Sequence, residues 1–84
     1  MKKTKYQLTS ITYNWTRKDI FNTEREALIF EYNVLSSLYN KLIEKGKNVK
    51  WIDKSVENVK VRQIFDLDKK GSYITLFIEP VAVK

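Results

Sequence analysis

The chain of 84 residues has no cysteine, no histidine, two glycines and one proline. Without cysteine, disulfides and thiolate-bound zinc are excluded. Without histidine, the commonest general base and the commonest transition-metal ligand are missing. No apolar run approaches the roughly 20 residues that a membrane-spanning helix needs. We therefore expect no enzyme, no catalytic, cofactor-binding or metal-binding residues, no small-molecule substrate and no membrane partner.

The acidic residues form only weak candidates for a metal or catalytic site. Asp66 and Asp68 make an Asp-x-Asp pair beside a predicted turn, and Glu24 and Glu26 lie close together at a predicted helix start. Neither pair has a third ligand nearby in the sequence, and the chain has no glycine-rich phosphate loop. We interpret all four as turn and capping residues.

Composition indicates one folded domain. Hydrophobic residues make up 43% of the chain and charged residues 31%, which is typical of a globular protein and not of a disordered one. We predict a single α+β domain over residues 1–84, with residues 1–4 as a flexible basic tail. The basic start lacks the apolar stretch of a signal peptide, so we expect a cytoplasmic protein.

The net charge of +6 is unevenly placed. Residues 1–22 carry +4, residues 23–46 carry −1 and residues 47–84 carry +3, so the basic character belongs to the predicted strands. A basic sheet favours polyanions, but thirteen of the sixteen cations are lysine, which weakens specific phosphate or base recognition. A lysine-rich solvated surface explains the same charge equally simply.

One helix is marked at both ends. Thr23 and Glu26 form a capping box, and Gly46 is placed to end the helix in a left-handed conformation. At 100° per residue, one stripe is apolar and predicts the core face. Its members are Leu28, Tyr32, Leu35, Tyr39, Leu42 and Ile43, with Ala27 and Leu38 beside them. Glu31 projects from the edge of this stripe, where either a salt bridge or the edge position itself explains the charge.

The remaining segments predict strands. Residues 5–22 predict two strands or one bent pair, with Thr16-Arg17-Lys18 as the turn. Tyr6 and Leu8 have the opposite parity to Ile11, so either a bulge near Thr9-Ser10 reverses the faces or the register differs. Residues 48–53 predict a short strand and residues 53–57 a loop. Residues 59–67 and 72–83 predict a hairpin whose turn, 68–71, uses Gly71 for positive φ.

The predicted hairpin register pairs Phe65 with Ile74 and Val61 with Ile78 on one face. The other face then pairs Arg62 with Phe77 and Lys60 with Glu79. The resulting order is β-β-α-β-β-β. We expect a two-layer α+β fold in which an antiparallel four- or five-stranded sheet packs one long helix on one face.

Three groups of residues are candidates for a partner surface. The second sheet face combines cations with aromatic rings, as single-strand and RNA binders do, unless these are ordinary cross-strand pairs. It comprises Lys60, Arg62, Tyr73, Phe77 and Val81. The predicted hairpin tip comprises Trp15, Arg17 and Lys18, supplemented by Lys2, Lys3 and Lys5, although Trp15 is also suited to cap the core.

The third candidate is Phe30 with Val34, which lie off the main apolar stripe of the helix. An apolar pair on the solvent side is typical of an association surface, unless a loop or the N-terminal segment covers it. Together these features favour a non-catalytic regulatory protein that contacts another protein or itself, with the character of an accessory protein of a phage or mobile element. The alternative is a nucleic-acid-binding module that uses a basic, aromatic sheet face.

Overall fold

The computed structural model describes residues 3–57 and 59–83, which form one five-stranded antiparallel sheet and one helix. The elements in chain order are β1 (Lys3–Ile11), β2 (Thr16–Phe21), α1 (Glu24–Glu44), β3 (Val49–Val56), β4 (Val59–Asp66) and β5 (Gly71–Val83). The strand order across the sheet is β2-β1-β5-β4-β3. The predicted α+β class and the order β-β-α-β-β-β are confirmed. β1 begins at Lys3, inside the stretch 1–4 for which we predicted a tail.

Both helix ends follow the sequence signals. Thr23 is the N-cap, and its Oγ1 accepts a hydrogen bond from the backbone N–H of Glu26 at 3.1 Å. At the other end Gly46 has φ +74°, and its N–H donates to the carbonyl of Ile43 at 2.9 Å. The N–H of Lys47 donates to the carbonyl of Leu42 at 3.0 Å, which completes a Schellman closure.

The buried stripe of α1 is rotated from the predicted one. Its buried residues are Ala27, Glu31, Leu35 and Leu42, whereas Tyr32 and Ile43 are 58% and 48% exposed. At 100° per residue the true stripe lies roughly 70° from the predicted centre, so Glu31 stands in its middle. The rotation also brings Phe30 and Val34 against the core. Hydrophobicity alone misplaces the stripe because one of its central residues is charged.

The β1–β2 connection differs from the prediction. The chain turns at residues 12–15, and Thr16, Arg17 and Lys18 all belong to β2. The pairing of β1 with both neighbours is continuous, so no bulge reverses its faces. Leu8 is fully buried against the helix, while Ile11 is exposed.

The predicted β4–β5 register is wrong by one residue over 61–64 and by two residues at Phe65, which pairs with Ser72 and not with Ile74. Arg62 pairs with Leu76, and Val61 pairs with Phe77. A register shift lies between Ile64 and Phe65, where Tyr73 is the extra residue on β5. The turn lies at residues 67–70 and not at 68–71, and the sequence pattern did not reveal the bulge. The remaining shift of one residue over 61–64 pairs β4 residues with β5 residues from the wrong face.

The two turns around β4 also correct the predictions. β3 continues to Val56, so the predicted loop at 53–57 is mostly strand, and Glu57 takes φ +50° in the connection to β4. In the turn before β5 it is Lys70, and not Gly71, that has positive φ, at +54°.

The core lies between the helix and one sheet face. Its buried apolar residues come from α1 and from four strands, β1, β3, β4 and β5, and are Leu8, Leu35, Leu42, Val49, Ile64, Ile74 and Leu76. Phe21 and Phe30 flank it at one side, with ring centroids 5.3 Å apart. At the other side Trp51 lies against Tyr32 and Tyr39, at 5.8 and 6.0 Å. Within the described residues no element covers the second sheet face, which we call the open face. None of the described helices is long and apolar enough to cross a membrane.

Candidate binding surfaces

An apolar groove lies beside α1, at the end of the β1–β2 hairpin. It has a volume of about 550 Å³ and we call it the Trp15 groove. Its lining residues are Trp15, Phe30, Asn33, Val34, Ser37, Leu38, Lys41 and Ile74. Phe30, Val34 and Leu38 are spaced four residues apart and form one helical wall. Asn33, Ser37 and Lys41 repeat the spacing one row higher and form a polar rim.

The tip that carries Trp15 is held by local hydrogen bonds. The backbone N–H of Thr12 donates to the carbonyl of Trp15 at 2.8 Å, and the N–H of Trp15 donates to Thr12 Oγ1 at 3.2 Å. Thr12 Oγ1 also donates to Asn14 Oδ1 at 2.9 Å. The indole is 47% exposed, so it neither caps the core completely nor lies free in solvent.

The open face is built from the strand residues that alternate with the core. One row across the sheet follows the observed pairings and reads Lys18, Thr9, Phe77, Val61, Lys54. The next row reads Thr16, Ile11, Thr75, Gln63, Ile52, and beyond it Ser72 and Lys50 flank Phe65. In these rows the inner strands therefore carry a mixture of apolar and uncharged polar residues, and the edge strands β2 and β3 carry lysines.

Arg62 and Lys60 do not belong to the open face. Arg62 lies on the helix side, where its Nη1 is 2.8 Å from Glu31 Oε1 and its Nε is 3.6 Å from Asp53 Oδ1. The predicted pairings of Arg62 with Phe77 and of Lys60 with Glu79 are wrong, because these residues lie on opposite faces. Of the two explanations for Glu31, the salt bridge is present and the edge position is wrong, and the ion pair explains a charged residue that is only 2% exposed.

Burial dominates the electrostatics of Glu31. Desolvation raises the pKa of this carboxyl above its usual value, although the Arg62 charge and hydrogen bond act in the opposite direction. Its second oxygen, Oε2, is buried and has no hydrogen-bond partner among the described residues. The pair is a structural link between α1 and β4, and it leaves Arg62 little freedom to contact a partner.

Asp66 closes the β4–β5 turn. Its Oδ1 accepts hydrogen bonds from the backbone N–H groups of Lys69 at 3.1 Å and Asp68 at 2.9 Å. The bond from Lys69 is the main reason that its pKa is lowered, against an opposing effect of desolvation. Tyr73 stands next to this turn and, with the exposed Tyr13, lines a cavity of about 450 Å³. Among the described residues no three acidic side chains are grouped closely enough to hold a metal ion.

The structure regroups the predicted candidates. Trp15, Phe30 and Val34 converge in the Trp15 groove, although the sequence assigned them to two surfaces. Lys18, Phe77 and Val81 share the open face, whereas Arg17 points to the helix side and pairs with Asp19 at 3.2 Å. Lys2 and the side chain of Lys3 lie outside what the structure describes.

Sequence reasoning missed several residues of both surfaces. Leu38 and Ile74 belong to the groove, and Lys50 and Lys54 belong to the open face. The two lysines carried a usable signal, because they alternate with Trp51 and Asp53 in a strand. No sequence signal indicated that Ile74 would line the groove, since its place beside α1 depends on the bulge in β5.

Comparisons of the chain with protein-family models, with curated protein sequences and with solved structures gave no match.

Proposed function

We propose that this is a non-catalytic binding protein that acts in the cytoplasm and contacts a partner protein through the Trp15 groove. The observation that carries the proposal is the convergence of Trp15, Phe30 and Val34, from two separate elements, on one apolar depression. Tryptophan and other aromatic residues supply a large share of binding energy at protein interfaces.

The chemistry of the groove defines the partner segment. The wall of Phe30, Val34 and Leu38 spans nine residues of helix, or about 12 Å, which matches two turns of a partner helix or a short extended segment. The lining residues include one cation, Lys41, and no acid. An apolar segment flanked by acidic side chains fits both features.

The test is site-specific photo-crosslinking in the native host. A photoreactive residue replaces Ser37 on the groove rim, and a second version carries it at Asn40, which is exposed on the outer side of the helix. We expect a discrete crosslinked protein from position 37 and not from position 40. Mass spectrometry then identifies the partner, and a product of twice the chain mass assigns the groove to self-association instead.

Two substitutions test whether the groove itself is responsible. Ser37→Arg places a bulky charged side chain on the rim, and Asn40→Arg makes the same charge change away from it. Affinity for the identified partner should fall at least tenfold with Ser37→Arg and Trp15→Ala and stay within twofold with Asn40→Arg. Equal effects of the two arginines, or equal crosslinking from both positions, would contradict the proposal.

A further inference from the structure

The charged residues of the strands are sorted between the two faces of the sheet. The open face carries the lysines Lys5, Lys18, Lys50 and Lys54 and a single acidic residue, Glu79. The other acidic residues of the described strands, Asp19, Asp53 and Asp66, all lie on the helix side. The helix side also carries three cations, Arg17, Lys60 and Arg62, which balance its three acids, so the net positive charge of the described strand side chains lies on the open face.

The acids on the helix side are already engaged. Asp19 pairs with Arg17, Asp53 lies beside Arg62 and accepts a hydrogen bond from Trp51 Nε1 at 3.1 Å, and Asp66 accepts from turn amides. None of the four open-face lysines lies within 4.0 Å of a described carboxylate. Their charges are available to an external anion.

The lysines frame an aromatic centre. In the row Lys18, Thr9, Phe77, Val61, Lys54 the terminal lysines are four strand spacings apart, or about 19 Å. Phe77 is half-buried in the middle, and Phe65, also half-buried, lies directly beside Lys50. Thr9 lies between Lys18 and Phe77 in this row and is only 3% exposed, so neighbouring side chains cover it.

We propose that the open face binds single-stranded nucleic acid, with the edge lysines contacting phosphates and Phe77 and Phe65 stacking on bases. This partner differs from the protein partner of the Trp15 groove, and the two surfaces lie on opposite sides of the sheet. Single-strand binding that tolerates any sequence needs cations to contact the phosphates and aromatic rings to stack on the bases, and the open face carries both. Lysine acts as a point charge, so binding depends on charge and stacking and little on base identity.

Two other occupants fit the face less well. A second copy docked face to face would bring two surfaces together that each carry four lysines and one acid, because a two-fold interface joins identical patches, and the like charges would repel. A duplex would leave Phe77 and Phe65 unused, since its bases are already stacked and the flat face offers no helix or ribbon to enter a groove.

The test is fluorescence anisotropy with labelled pyrimidine DNA and RNA of about 12 nucleotides, their duplexes and polyglutamate, at several salt concentrations. We expect both single strands to bind in the micromolar range at physiological salt and more tightly than the duplexes or polyglutamate. The logarithm of the affinity should fall linearly with the logarithm of the salt concentration, because bound phosphates release counterions.

Matched variants locate the site. Lys18→Ala/Lys54→Ala removes two open-face charges, and Lys45→Ala/Lys47→Ala removes two exposed charges at the end of α1, so both proteins have the same net charge. The first pair should weaken binding at least tenfold and reduce the salt slope by about 1.4, or 0.7 for each lost contact. The second pair should change affinity less than threefold. Phe77→Leu should weaken binding about fivefold or more without changing the slope, because it removes stacking and no charge.

The proposal would be overturned by equal losses in the two lysine pairs, by a Phe77→Leu variant that binds as the parent does, or by single strands that fail to bind at physiological salt. Duplexes that bind as tightly as single strands would also exclude the stacking role. Polyglutamate that binds as tightly as the oligonucleotides would assign the face to an acidic protein. Circular dichroism of each variant confirms that the fold is retained.

Discussion

The buried ion pair between Glu31 and Arg62 bears on which side of α1 faces the sheet. Glu31 is at the centre of the buried stripe of α1, and Arg62 reaches it from a central strand of the sheet. A buried ion pair contributes little net stability, but removal of one partner leaves an uncompensated charge. We therefore interpret the pair as fixing the rotation of α1 about its axis.

The pH dependence of this pair can be tested with Arg62→Met, which keeps an unbranched, flexible side chain and removes the charge. Loss of Arg62 should destabilise the fold by about 3 kcal/mol at pH 7, the lower end of the range for buried pairs, because Arg62 itself is 23% exposed. Urea unfolding measured at pH 7 and at pH 5 gives the two free energies of unfolding.

The sign of the expected pH effect follows from the raised pKa of Glu31. A carboxyl whose pKa is higher in the folded state binds more protons when folded, so its contribution favours folding at low pH and is lost as pH rises through the folded pKa. The loss caused by Arg62→Met should therefore shrink at pH 5. Adding Glu31→Gln should remove the pH dependence and recover stability at pH 7. A loss of the same size at both pH values would contradict this account.

Helix α1 and the β4–β5 hairpin depend on different kinds of interaction, local signals in the helix and pairing between strands in the hairpin. The ends of α1 depend on Thr23, Glu26 and Gly46, which act within a few residues of themselves. The register of β4 with β5 depends instead on a bulge at Tyr73, which forms through pairing between strands. Local chemistry therefore predicted the helix ends correctly, and strand alternation alone misassigned the hairpin.

The two glycines provide a controlled test of backbone conformation. A Cβ added at Gly46 or at Gly71 meets no atom within 4 Å, but only Gly46 has positive φ. Gly46→Ala should cost about 1 kcal/mol because alanine is strained in the left-handed region. Gly71→Ala should be neutral or slightly stabilising. Thermal and urea unfolding compare the two, and equal losses would show that the φ value is not the cause.

At the scale of the whole molecule, two surfaces with different chemistry flank a core that occupies only one side of the sheet. The Trp15 groove is apolar and lies beside the helix, while the open face is basic and is the sheet face opposite the helix. The separation would allow the two proposed partners to bind without competing with each other. The crosslinking and anisotropy experiments examine these surfaces independently.

The position of the core predicts a contrast between two isoleucines. Ile64 is fully buried on a central strand under the helix, whereas Ile29 is 53% exposed on α1. Ile64→Ala should destabilise the protein by about 2–5 kcal/mol through lost burial and a cavity. Ile29→Ala should change stability by less than about 0.5 kcal/mol. Chemical denaturation measures both, and a large loss at Ile29 would place a second apolar contact on the outer face of the helix.

The sequence by itself determined the elements that rest on local chemistry. The α+β class, the order of the elements and the capped helix all follow from spacing, caps and composition. These signals act over a few residues, so they can be recognised without a partner strand. The excess of positive charge in the strands was likewise visible before the fold was known.

Only the tertiary structure decided which residues share a surface. The bulge at Tyr73 placed Phe77 on the open face and Arg62 under the helix, and the rotation of α1 joined Phe30 and Val34 to Trp15. In a sheet the side-chain period is two, so a shift of one residue exchanges the faces completely. The composition of each candidate surface therefore depends on long-range pairing, which the local sequence does not encode.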